Sequence, residues 1–130
     1  MPSIFTKIIN GDIPCHKIAE TDDCICFLDI HPVARGHALV VPKKEVDYLF
    51  DLEAELYQKV MDLARRVARA QDKVIDCQRV GVAVVGTEVP HAHVHLIPFR
   101  HEGQVHLSAP KMKFSQEELA AIAREIREAL

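Results

Sequence analysis

Apolar and polar positions change period several times along this 130-residue chain, and each change marks an element. Residues 4–13 mix apolar and polar positions until Gly11 and Pro14 break the pattern, which predicts a short helix or turn. Residues 16–20 read as a short strand and Thr21-Asp22-Asp23 as a turn. The run from Cys24 to Ile30 is apolar until Asp29 and predicts a buried strand. A loop follows from His31 to Gly36, then a strand over His37–Val41 that Pro42 stops. Between Asp51 and Gln71, Leu56, Val60, Leu63, Val67 and Ala70 recur at three- and four-residue steps, one face of a long helix. Asp51 is its expected N-cap, with Glu53 and Glu55 near the positive end of the helix dipole. Arg79–Val85 is a valine-rich strand, and Thr87–Pro90 leads tightly into the next, giving an antiparallel hairpin. Residues 99–114 are irregular and polar. Ser115-Gln116-Glu117-Glu118 forms a capping box for a last helix with its apolar stripe at Leu119, Ile122, Ile126 and Ala129. Strands interrupted by one long helix and closed by another predict an α+β fold built on an antiparallel sheet.

The size is that of one domain over residues 1–130, and 48% hydrophobic residues supply a core without staples. The net charge of −3 argues against broad electrostatic binding to nucleic acid or an anionic membrane. No stretch approaches the ~20 apolar residues of a membrane helix, and the N-terminus lacks a secretion pattern. Cys15, Cys24, Cys26 and Cys77 are irregularly spaced and read as reduced thiols of a cytoplasmic protein, Cys24 and Cys26 as small buried hydrophobes. The unusual part of the composition is eight histidines with no tryptophan.

Three of those histidines stand in strict alternation, His91-Ala92-His93-Val94-His95-Leu96-Ile97. On a strand, His91, His93 and His95 share one face and Ala92, Val94 and Leu96 the other. Same-face neighbours lie ~6–7 Å apart. The apolar row enters a core and the imidazole row faces a cleft. Such a row permits two chemistries. Neutral imidazoles bind zinc, or a deprotonated ring nitrogen attacks phosphorus or an acyl carbon while a neighbouring imidazolium steadies the developing charge. Spacing alone does not separate them. Asp29 leaves an apolar strand, where an acid either caps a turn or binds a ligand hydroxyl, and capping is the default. Isolated His101 and His106 read as exposed.

The motif His91–Ile97, together with Ser3–Pro14, Phe27–Ile30, Gly36–Lys44 and the long helix in the same order, resembles the histidine-triad (HIT) family in its Hint-like branch. The resemblance covers about residues 3–99, with the C-terminal loop and helix, 100–130, less characteristic. It implies a HIT-like fold and a nucleotide hydrolase or nucleotidyl transferase acting on a purine nucleoside phosphoramidate or related conjugate. His93 then attacks the α-phosphorus to form a nucleotidyl-histidine that water hydrolyses. The main-chain carbonyl of His91 fixes the His93 tautomer. His95 holds a phosphate oxygen or the leaving-group side, and His37 is a fourth histidine that bonds toward the triad. Asp29 binds the ribose hydroxyls, and an ionised carboxylate can accept from both. Phe5, Ile8, Ile13, Phe27 and Ile30 surround the base, although each alone reads as core. Such proteins pair as homodimers through the long helices and a sheet edge.

The chain departs from that pattern in places. Ser3, Thr6 and Glu45 stand where related bacterial proteins carry the cysteines and histidine of a structural zinc site, so no metal and no cofactor are expected. Glu88 replaces a common serine in a short 86–90 loop and is a candidate leaving-group acid. Two other readings follow the enzyme in order: a catalytically weak nucleotide-binding or scaffold protein of the same fold, and a metalloprotein built on the triad histidines.

Overall fold

The structure, a computed structural model, describes residues 1–130. Its elements in chain order are α1 (Ile4–Ile9), β1 (Lys17–Glu20), β2 (Cys24–Leu28), β3 (Ala38–Pro42), α2 (Ala54–Val74), β4 (Arg79–Ala83), β5 (Val94–Phe99) and α3 (Gln116–Glu128). The five strands form one antiparallel sheet in the order β1-β2-β3-β5-β4. Together with the helices this is the expected α+β architecture. No helix is long and apolar enough to cross a membrane.

Side-chain alternation divides the sheet into two faces. Cys24, Cys26 and Leu28 of β2, Ala38 and Val40 of β3, and Val94 and Leu96 of β5 meet the buried stripe of α2 and the inner face of α3. On the other face Ile25, Phe27, Leu39 and Val41 form a smaller cluster with Phe5 of α1. β2 and β3 are covered on both sides, so every residue in them is buried, and this is why their sequences read as unbroken apolar runs. Leu39 pairs with both Phe27 and His95, and Ala83 lies across from His95 on the other side. The imidazole of His95 therefore belongs to the α1 face, in one transverse row with Phe27 and Leu39.

α2 carries Val60, Leu63, Val67 and Ala70 into the core, as the spacing requires. It begins at Ala54 rather than at Asp51. Asp51 closes a 3-10 turn over Leu49–Asp51 that buries Leu49 and Leu52 in the main core, and those two anchors delay the helix. The N-cap is Glu53, whose side chain makes no capping bond. α3 has the predicted capping box: Glu118 N–H donates to Ser115 Oγ (3.0 Å), and Ser115 N–H donates to Glu118 Oε1 (2.9 Å).

β3 ends at Pro42, as expected, whereas a second proline lies within a strand. Pro42 is the last paired residue of β3, opposite Cys24, and Pro98 lies inside β5, opposite Val80. β5 also begins later than the motif. The Ala92 N–H bonds Val46 O (2.7 Å), His91 N–H bonds Val89 O (2.8 Å), and the His91 carbonyl is taken by an imidazole. These local bonds withdraw residues 91–93 from the ladder. The link between β4 and β5 accordingly runs from Val84 to His93, longer than the tight hairpin expected from the sequence. The alternation persists across it, since Ala92 joins Val94 and Leu96 in the main core.

Candidate active site

Four histidines cluster at the sheet, with Phe5 of α1 against two of them, and backbone groups assign the proton on three. His93 Nδ1 lies 2.7 Å from the carbonyl oxygen of His91. A carbonyl only accepts, so Nδ1 carries the proton and Nε2 keeps a lone pair. His91 Nε2 lies 2.7 Å from Pro42 O, so its proton is on Nε2, and Nδ1 accepts from the Ser3 hydroxyl at 2.7 Å. The Val33 N–H donates to His37 Nδ1 (3.1 Å), which places the His37 proton on Nε2. That proton is donated to His95 Nδ1 (2.9 Å), and His95 is left with its own N–H at Nε2. The site thus offers one free imidazole lone pair, on His93, beside one free imidazole donor, on His95, with ring centroids 4.9 Å apart.

The row is more enclosed than an open cleft. His91 is fully buried, and His93 and His95 are 7% and 6% exposed. Burial dominates their electrostatics. It pushes the His37 imidazole down to about 4 and that of His95 to about 3, the latter lowered further by His37 and His93, while the nearby Asp29 carboxylate opposes both shifts. Burial also holds His93 below the usual range, against the raising effect of its bond to the His91 carbonyl. These rings are neutral at neutral pH, so the imidazolium neighbour allowed by the sequence gives way to a neutral N–H donor.

His91 spends both ring nitrogens on Ser3 and Pro42, none on the other two. Side chains around the start of α1 hold it: Ser3 Oγ, the N-cap of α1, also accepts from Thr6 N–H (3.0 Å). The Glu45 carboxylate takes Ser3 N–H (2.6 Å) and Thr6 Oγ–H (2.7 Å). Ser3, Thr6 and Glu45 therefore converge on His91 through hydrogen bonds. The Phe5 ring stands edge-on to both His91 (5.8 Å) and His93 (4.9 Å), so anchoring α1 also walls the lone pair of His93.

Asp29 follows β2. One of its oxygens accepts from His31 N–H (2.9 Å), the turn cap expected of such a residue. The other lies 3.6 Å from His37 Nε2. Of the proposed base-pocket residues, Phe5, Phe27 and half-buried Ile8 come together, with Ile9, Cys15 and Val89 beside them. Ile13 is half-buried outside that cluster and Ile30 is 57% exposed. Glu88 stays exposed in the β4–β5 link and takes no part in the hydrogen bonds around the histidines.

The side chains nearest to a metal-binding arrangement are Asp29, His37 and His95, each with one donor atom within 4.8 Å of the others. They do not fit a cation, because His37 Nε2 holds the proton that Val33 N–H denies to Nδ1. The three motif histidines fit one no better: both nitrogens of His91 and one of His93 are already bonded. In this hydrogen-bonded state the donor set does not fit a metal ion.

The α+β sheet thus carries a buried histidine row leading into β5 and an acid just after β2, with β3 between them. Residues 10–102 match the family model for the HIT domain. The Schizosaccharomyces pombe adenosine 5'-monophosphoramidase hnt1 is 36% identical over 129 residues, covering 97% of this chain and 96% of that protein. The Saccharomyces cerevisiae adenosine 5'-monophosphoramidase HNT1 is 43% identical over 101 residues, covering 76% and 63%. The crystal structure of a Hit-like protein from Bartonella henselae superposes with a TM-score of 0.84 at 32% identity, covering 98% of this chain and 96% of that one. The chain belongs to the HIT family.

Proposed function

We propose that this protein is a nucleotide hydrolase of the phosphoramidase kind, cleaving a purine nucleoside phosphoramidate or related conjugate at its α-phosphorus. The observation that carries the reading is the 2.7 Å bond from His93 Nδ1–H to the His91 carbonyl, which leaves Nε2 unprotonated beside a neutral donor. Two relatives named as adenosine 5'-monophosphoramidases support the substrate class.

His93 Nε2 gives its lone pair to phosphorus, forming N–P as the bond to the leaving group breaks. His95 Nε2–H lies beside that nitrogen and supplies a hydrogen bond to a phosphoryl oxygen or to the departing atom. His37 holds His95 in the donating tautomer. The departing nitrogen takes up a proton from solvent, water then attacks phosphorus and releases one to solvent, the N–P bond breaks, and His93 regains its lone pair as nucleoside monophosphate leaves. The Asp29 carboxylate accepts from the ribose hydroxyls with the lone pairs its turn cap leaves free. Phe5, Phe27 and Ile8 offer the base an apolar wall, with Ile13 and Ile30 at its margin. Glu88 meets the leaving group only if the β4–β5 link closes over the site. The molecule pairs as a homodimer, with the unpaired edge of β4 and the exposed Val82 as its contact, in the compartment where its four thiols stay reduced.

The test is AMP release from an adenosine phosphoramidate by the wild type and by His93→Ala. Turnover by the wild type alone, with a trapped nucleotidyl-protein adduct, is expected. Equal release by both removes the reading. AMP binding without an adduct from any nucleotide favours a scaffold of the same fold.

A further inference from the structure

Gln71 is wholly buried near the end of α2, four residues after Val67 and four before Ile75, on the apolar stripe. Its Nε2 donates to the Gly36 carbonyl at 2.9 Å and reaches the Leu96 carbonyl at 3.4 Å. Its Oε1 meets no donor. The flipped amide would set that oxygen against two carbonyl oxygens, so the orientation is fixed. Gly36 precedes His37, and Leu96 follows His95. Gly36 has φ +84°, and a Cβ there would lie 3.1 Å from two Ile75 side-chain carbons. The end of α2 thus grips the backbone next to both members of the His37–His95 bond, from the face of the sheet opposite their rings.

We propose that Gln71 is a positioning residue for the hydrolase, its amide setting the backbone spacing at which His37 Nε2–H meets His95 Nδ1. A methionine would fill the same space without an unpartnered acceptor; what the glutamine adds is the donor that ties the two carbonyls. The inference rests on the roles proposed above for His93 and His95.

The test is Gln71→Met assayed beside the wild type on adenosine phosphoramidate. We expect kcat to fall at least tenfold, KM to change less than threefold, and the acid limb of kcat to move up toward the ordinary imidazole range as the pair loosens. The titratable groups facing that pair are Asp29, His93 and Lys111. The imidazole 15N signal of His95 Nδ1 should move toward that of a free acceptor. Unchanged kcat, pH profile and 15N signals overturn the proposal, and so does a loss of kcat that tracks a lowered Tm and returns on cooling. If the variant does not fold, hydrogen exchange of the Gln71 side-chain amide in the wild type decides: protected protons support the bond, and rapid exchange refutes it. A wild type without turnover indicts the proposed function, while the NMR readouts still judge the role of Gln71.

Discussion

The Ser3 hydroxyl does two jobs that substitution can separate. It caps α1 by accepting from Thr6 N–H, and it donates to the buried Nδ1 of His91. Ser3→Ala removes both. Loss of a serine N-cap costs about 1 kcal/mol, and a buried acceptor left without its donor costs about 1–3 kcal/mol. The sum is about 2–4 kcal/mol, a large share of the ~5–15 kcal/mol that holds a domain folded. At ~2.1 cal/mol/K per residue the 130-residue chain has an unfolding entropy of about 0.27 kcal/mol/K, so Tm should fall by about 7–15 °C. Ser3→Gly keeps most of the capping preference, losing only a few tenths of a kcal/mol, and should therefore lose about 1–3 kcal/mol through His91 alone. Thr6 Oγ1, at 3.5 Å from the same nitrogen, offers poor relief because its proton serves Glu45. Urea titration and calorimetry of Ser3→Ala, Ser3→Gly and Ser3→Thr measure these differences, with threonine expected to hold close to the wild type. Alanine and glycine variants both within about 0.5 kcal/mol of the wild type would refute the assignment of the serine proton to His91.

Folded His37 and His95 titrate at about 4 and about 3, below the ordinary imidazole value of ~6.5. The unfolded chain therefore holds more protons between those limits, and stability is complete above about 6.5 and declines as pH falls toward 4. Equilibrium unfolding from pH 7.5 to 4.5 checks this, and a flat unfolding free energy contradicts it. The wild-type acid limb of kcat/KM should lie below ~6.5 for the same reason. Gly36→Ala should lower stability by about 1–3 kcal/mol, since a side chain is strained at positive φ and would crowd Ile75; thermal melts decide. Asp29→Asn should raise the Kd for AMP more than tenfold and that for 2',3'-dideoxy-AMP little, as read by calorimetry; equal losses would remove Asp29 from the ribose.

The fold was legible wherever a single face or a single motif decided it. The α2 and α3 stripes, the Ser115 box and the apolar run of β2 are local patterns that the tertiary structure preserves. The start of α2 was not, because two distant-core anchors, Leu49 and Leu52, outweigh the capping preference of Asp51. β5 starts later than the motif because the backbone of residues 91–93 is bonded to Val46, Val89 and an imidazole. The motif picked out the histidines but not their protons, since Pro42, Val33 and the His91 carbonyl are invisible as acceptors or donors in a string of letters. Gln71 left one signal, a polar residue in step with Val67 on an apolar face. Ser3, Thr6 and Glu45 stood out only as departures from a zinc site, which does not disclose their bonds to one another and to His91.

The protons of His91, His93 and His37 are each placed by a peptide group, the Pro42 carbonyl, the His91 carbonyl and the Val33 amide, and that of His95 follows from His37. Replacing a side chain can remove a ring but cannot delete a main-chain oxygen. Apart from proline at position 33, single substitutions at these three anchors leave the wiring of lone pairs intact. The neighbourhood is thus free to drift while the placement of lone pairs and N–H donors travels with the chain trace itself.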